Sequence, residues 1–167
     1  MSPKTRSLVT ENVVSGRGTD GTFVINLPVN GMAEAKRNHR LDDAAVDCHF
    51  TMADVTTRYF HDLPPLQKAS ATARLSGNNF EITIDQGQAV MPSGKLARLR
   101  SGSFSARELM AVETPGVITV EVAGDTAALQ EFANLPDLNL VQPGLDGVPP
   151  ITGDAVAKVT IKLPLIK

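Results

Sequence analysis

Ala69-Ser70-Ala71-Thr72-Ala73-Arg74-Leu75-Ser76-Gly77-Asn78-Asn79-Phe80-Glu81-Ile82-Thr83-Ile84-Asp85 is the stretch whose side-chain pattern decides the architecture. Apolar and polar residues alternate strictly on either side of Ser76–Asn79, and a period of two belongs to a half-buried β-strand. The pattern predicts a β-hairpin with Ala71, Ala73, Leu75, Phe80, Ile82 and Ile84 on one face. Ser70, Thr72, Arg74, Glu81, Thr83 and Asp85 fall on the other. Gly77 and the two asparagines read as the positive-φ positions of a tight connection. One dry face and one wet face are expected of an antiparallel sheet covered on one side only. What covers the dry face is then the question on which function turns.

Working outward, Val46–Met52 is a second clean strand, with Val46, Cys48, Phe50 and Met52 on its dry face. Cys48 reads as a small hydrophobe, and its neighbour His49 points the opposite way, so the two are not a nucleophile and its base. Val117–Ala123 turns Ile118, Val120 and Val122 inward, and Ala155–Leu163 does the same with Val159 and Ile161. In Lys95–Phe104 the apolar parity changes between Leu99 and Phe104, which predicts a bulge near Ser101-Gly102. Ser7–Val14 and Thr22–Val29 read as two further strands joined by Gly16–Gly21. That glycine run has G-x-G-x-x-G spacing, but a dinucleotide loop must open a helix, and here a β-branched alternating segment follows. No cofactor is therefore read.

The convincing helix starts at Asp125, a good N-cap, and runs through Ala128, Leu129, Phe132 and Leu135 until Pro136 stops it. Asn30–Asp43 reads as a solvated loop with at most one helical turn at Met32–Lys36. Its Lys36, Arg37, His39 and Arg40 are charges for solubility, with a phosphate site as the alternative.

Composition narrows the function classes. A net charge of −2 argues neither for a polyanion partner nor for a disordered acidic tail, and with no Trp and one Tyr the stacking platforms of single-stranded nucleic-acid and carbohydrate sites are missing. No nucleic-acid partner is expected. The single cysteine cannot form an internal disulfide. No long apolar run suits a membrane helix, and the first residues lack the core of a signal peptide. His39, His49 and His61 with Asp62 are the candidates for metal or acid–base chemistry, and they lack ligand-type spacing. No catalytic residue, metal or cofactor is assigned, and no enzyme is expected. The domain reading is a lead-in or first strand over 1–15 and one antiparallel β unit over 16–167, with its helix near 125–135.

The strands number roughly eight by this reading, and one short helix shields only two or three of them. The rest of the dry face folds over as a sandwich, closes as a barrel, or stays an open trough that holds something apolar. Periodicity favours the sandwich; a face of Ala, Val, Ile, Leu and Met rather than interlocking aromatics leans toward the trough. The expected class is mainly β, a strongly twisted or curved antiparallel sheet with one short α-helix, the closed sandwich being the alternative. Leu163-Pro164-Leu165 echoes Leu27-Pro28-Val29, with Val159 and Ile161 falling on Phe23 and Ile25, as in a long-period repeat. The expectation is a unit cut from a longer array, flanked by neighbouring repeats of the same parent chain and prone in isolation to pair through its edge strands.

Gly21–Val29, Asp62–Leu66 ahead of Ala71–Gly77, Pro92–Leu96, Val122–Leu129 and Ile151–Val159 occur in an order that resembles the periplasmic AsmA-like superfamily, specifically the repeated region of YhdP-type proteins. The resemblance covers the chain from about Gly16 onward. It implies a segment of a long β-gutter in the periplasm, within a parent protein anchored in the inner membrane. It also implies a role in passing phospholipid, or another acyl lipid, to the outer membrane. The dry-face residues named above are the candidate lipid-facing residues.

Overall fold

The structure is a computed structural model, described for residues 13–58, 63–111, 113–135 and 152–166, with the side chains of 113 and 163–166 left aside. Seven strands lie side by side in chain order in one sheet. They are β1 (Val13–Ile25), β2 (Val46–Thr57), β3 (Leu66–Ser76), β4 (Asn79–Val90), β5 (Leu96–Ala106), β6 (Glu113–Asp125) and β7 (Asp154–Ile166). Every neighbouring pair is antiparallel. The sheet is open, with β1 and β7 at its edges, so it is neither a barrel nor a sandwich. Among the described residues two short helices accompany it, α1 (Gly31–Asn38) and α2 (Thr126–Ala133).

Three readings need correction. Gly16–Gly21, expected to connect two strands, lies inside β1 and connects nothing, while the expected first strand lies outside the described residues up to 12. β1 then stops at Ile25, so Leu27-Pro28-Val29 lies outside the sheet although its echo, Leu163-Pro164-Leu165, is inside β7. The basic segment after Asn30 is a full helix and not a loop. Its entry residue Asn30 is left-handed with no side-chain cap, and Ala35 is its buried residue, which is why the sequence carries so little helical signal there. Tyr59–Asp62 lies outside the described residues, and with it His61 and Asp62.

The hairpin of β3 and β4 pairs as its alternation requires, with Leu75 opposite Phe80, Ala73 opposite Ile82 and Ala71 opposite Ile84. Of its turn residues only Gly77 has positive φ, at 53°, and a Cβ there would sit 2.7 Å from the Asp43 backbone. Asn78 does different work. It is buried, its side-chain oxygen accepts from the Leu41 N–H at 3.1 Å, and its backbone carbonyl accepts from the Leu109 N–H at 2.9 Å.

Across the middle of the sheet runs a crease. Apolar-face residues in β2 proceed Cys48, Phe50, Met52 and then skip to Val55 around Asp54, which has φ 52°. In β3 the skip falls at Lys68, also with φ 52°, between Ala69 and Leu66. In β5 it falls between Leu99 and Ser101, close to the bulge that the sequence suggests. β4 changes parity at the matching level, from Ile84 to Gly87, so the β4–β5 pairing stays in step. An inserted residue bends a strand and sends later side chains to the other face. Apolar residues that sequence parity assigns to opposite faces thus share one face here.

α2 covers one end of that face. Asp125 caps it, its carboxylate accepting from the Ala127 N–H at 2.7 Å. The Glu131 carboxylate accepts from the Ser93 N–H at 2.9 Å and from the Ser93 hydroxyl, tying the helix to the β4–β5 turn. Ala128, fully buried, packs with Ala89, Met91, Ala97, Leu99 and Val122 to form the core.

Candidate functional site

Register sorts the side chains into rows, because residues paired across an antiparallel sheet share a face. One apolar row runs Phe50, Ala73, Ile82, Phe104, Ile118 and Ile161. The next runs Met52, Ala71, Ile84, Gly102, Val120 and Val159. This second row mixes large and small residues, and a Cβ at Gly102 would lie 3.4 Å from the Ile84 side chain and 3.5 Å from that of Leu99. Ala71 and Ala73 are 5% and 0% exposed although no second layer of described residues lies above them. The larger neighbours form walls and the small ones a floor.

The polar face carries hydroxyls and charges. Thr51, Thr72, Thr83, Ser103, Thr119 and Thr160 make one row, in which the Thr119 and Thr160 hydroxyls lie 3.3 Å apart. Arg74 donates two hydrogen bonds to Asp47 at 3.2 and 3.3 Å, and the carboxylate raises the pKa of the guanidinium above its ordinary value. His49 sits exposed on this face beside Arg74, while Cys48 is half-buried on the other. Among the described residues no cluster of three or more His, Cys, Asp or Glu is placed to hold a metal ion.

On the apolar face, between α2 and the sheet from the end of β2 to β7, lies a cavity of about 420 Å³. That is within the roughly 300–1,000 Å³ of small-molecule sites. Of the residues expected to face a lipid, Ile84, Ile118, Val120, Val122, Val159 and Ile161 line it. Val46, Cys48, Phe50 and Met52 of β2, Ala71, Ala73 and Leu75 of β3, and Phe80 and Ile82 of β4 lie on the same face but outside the cavity.

Sequence reasoning missed Leu63, Leu66, Ala89, Ala97 and Leu99, which line the cavity together with Phe104, Phe132 and the polar Thr57 and Ser103. Most of them lie beyond the crease, where strand parity reverses, and the reversal in β5 was the one signal that pointed there. Among the described residues no Asp, Glu, Lys, Arg or His lines the cavity. A second cavity of about 490 Å³ lies between α1 and the start of β2, and Glu34, Arg40 and Asp42 line it. Its mixed charge suits water better than an apolar guest.

No helix among the described residues is long and apolar enough to cross a membrane. Comparison with family models, curated proteins and solved structures finds no match to this chain.

Proposed function

We propose that this chain is a non-enzymatic segment of an AsmA-like, envelope-spanning protein in which the apolar sheet face shields the acyl chains of phospholipid. The observation that carries the reading is a single-layer sheet whose apolar face holds a 420 Å³ cavity that no charged side chain among the described residues lines. A hydrocarbon chain has no polar group to satisfy and gains about 0.8 kcal/mol for each methylene taken out of water. A sugar or a phosphate would lose its hydrogen bonds on such a surface. The setting that goes with this reading is the periplasm, with the parent chain anchored in the inner membrane and serving the outer one. Phe23 and Ile25, 68% and 69% exposed at the β1 edge, extend the apolar face to where a neighbouring repeat would continue it.

The test is whether purified protein carries phospholipid, and whether photo-crosslinkers at Leu75, Ile82 or Val120 capture acyl chains. Ile82→Asp is expected to keep the fold, because its side chain is only half-buried, and to lose bound lipid. Protein that extracts lipid-free, with no crosslink at any of the three positions, removes the proposal. An interaction domain with no lipid cargo would then be the better description, supported by the two exposed sheet edges.

A further inference from the structure

We infer that the outer edge of β1 pairs with the same edge of a second copy of this chain, antiparallel and across a twofold axis at Phe23. Such pairing is independent of what the apolar face binds. Backbone alternation decides it, because successive residues of a strand turn their N–H and C=O to opposite neighbours. Asn26 donates to the Ala45 carbonyl at 2.8 Å, so Asn26 bonds inward to β2, and with it Val24, Thr22 and Asp20. Gly21, Phe23 and Ile25 therefore direct their main-chain groups outward, where no strand among the described residues meets them. The Gly21 N–H agrees with this, since it donates to the carboxylate of its own neighbour Asp20 at 3.0 Å.

β7 has the reverse assignment. Thr126 donates to the Gly153 carbonyl at 2.8 Å, and the β6–β7 register continues from there without a shift. Val156, Lys158, Thr160 and Lys162 are thus the outward residues of β7. Pro115 opposite Pro164 fits, because neither proline has an N–H to exchange. Outward residues of β1 carry side chains of the apolar face, and those of β7 carry side chains of the polar face. Residues bonded to each other across an antiparallel ladder share a face. Hence β1 against β1 keeps both apolar faces on one side, whereas an antiparallel β7 against β1 would set them on opposite sides. A parallel β7 would keep them together, but parallel pairing is the weaker kind. β7 is also defended, with Lys158 and Lys162 at outward positions and no N–H at Pro164.

Register follows from where β1 is regular. Shifts interrupt its pairing with β2 between Val13 and Asp20, while Asp20–Ile25 pairs without a break and Asn26 extends the ladder. The run Asp20–Asn26 overlaps itself completely only when centred on Phe23. Gly21 of either copy then lies opposite Ile25 of the other, Thr22 opposite Val24 and Asp20 opposite Asn26, so no like charges meet. The contact is made by main chain at the edge, and it leaves the face above β1 uncovered.

Light scattering over a concentration series is the measurement. The mass should double with concentration for the unchanged chain and for Ile25→Thr, which keeps the outward N–H. Ile25→Pro removes that N–H and sets a ring against the partner strand, so it should stay monomeric. Its urea midpoint at low concentration should match that of Ile25→Thr, because no bond to β2 is lost. Phe23→Pro serves instead should Ile25→Pro fail to fold. A monomer at every concentration for the unchanged chain, or a proline variant that dimerises as before, overturns the inference. Register is read by disulfide capture with Cys48→Ala as background. Thr22→Cys mixed with Val24→Cys should oxidise to a mixed dimer, since a non-bonded antiparallel pair brings its Cα atoms to about 4.5 Å, within disulfide reach. Capture of Thr22→Cys by itself moves the axis off Phe23, and its capture by Lys158→Cys puts β7 on this edge; either result overturns the pairing inferred here.

Discussion

The two edge strands have the same length and matching apolar residues, and yet they live in different surroundings. β1 and β7 each run thirteen residues, and both turn apolar side chains to the same face of the sheet. Every β1 side chain is exposed, whereas β7 alternates half-buried Ala155, Ala157, Val159 and Ile161 with exposed neighbours. The difference lies overhead. α2 packs on β5, β6 and β7, pinned by Asp125 and Glu131, while nothing among the described residues stands over β1. In a single-layer sheet, membership of the sheet does not bury a residue; what lies above it does.

This contrast can be broken from its strongest side. Val122→Asp puts a charge into the core beneath α2, where Val122 is 7% exposed. Stability is expected to fall by more than about 3 kcal/mol in urea unfolding, because a buried unpaired charge has no solvent there. A loss below about 1 kcal/mol would mean that α2 does not cover this end in solution.

A smaller effect isolates the helix from the sheet. Asp125→Ala removes the cap and also the weak Lys95–Asp125 ion pair at 3.6 Å. The expected loss is about 1 kcal/mol, nearly all of it from the cap, since exposed ion pairs contribute little. Thermal melts with and without added salt separate the two contributions: a salt-insensitive loss belongs to the cap.

The smallest expected change is the most telling about β1. Phe23→Ser should alter stability by no more than about 0.5 kcal/mol, since a side chain 68% exposed has little packing to lose. A drop well beyond that, growing with protein concentration, would show that the β1 face is covered by a second copy. Light scattering on the same variant reads the association directly.

How far the fold was legible depends on where local chemistry was allowed to speak. The β3–β4 hairpin, the cap at Asp125 and the inward residues of β6 followed from alternation and helix spacing, because each is decided by a few adjacent residues. α1 was not legible, since it has no side-chain cap and its buried residue is a single alanine. The continuity of β1 through Gly16–Gly21 was hidden for the opposite reason. A glycine-rich run reads as a break, yet pairing with β2 holds it extended from Val13 to Ile25. The cavity was half legible. Its wall in β6 and β7 kept parity throughout, while the wall beyond the crease in β4 and β5 needed the register shifts to come into view.

By itself the amino-acid order determined that this chain makes a sheet with one oily face and one wet face, because a period of two sends alternate side chains to opposite sides whatever the partners are. It also determined where the capped helix begins. Only the tertiary structure decided that the oily face stays a single open layer, that a crease unites residues of opposite parity, and that α2 closes one end over a cavity. Those outcomes depend on strand order, on bulges at Asp54 and Lys68 and on where a helix comes to rest, which are contacts between residues distant in sequence. Local periodicity carries no record of them.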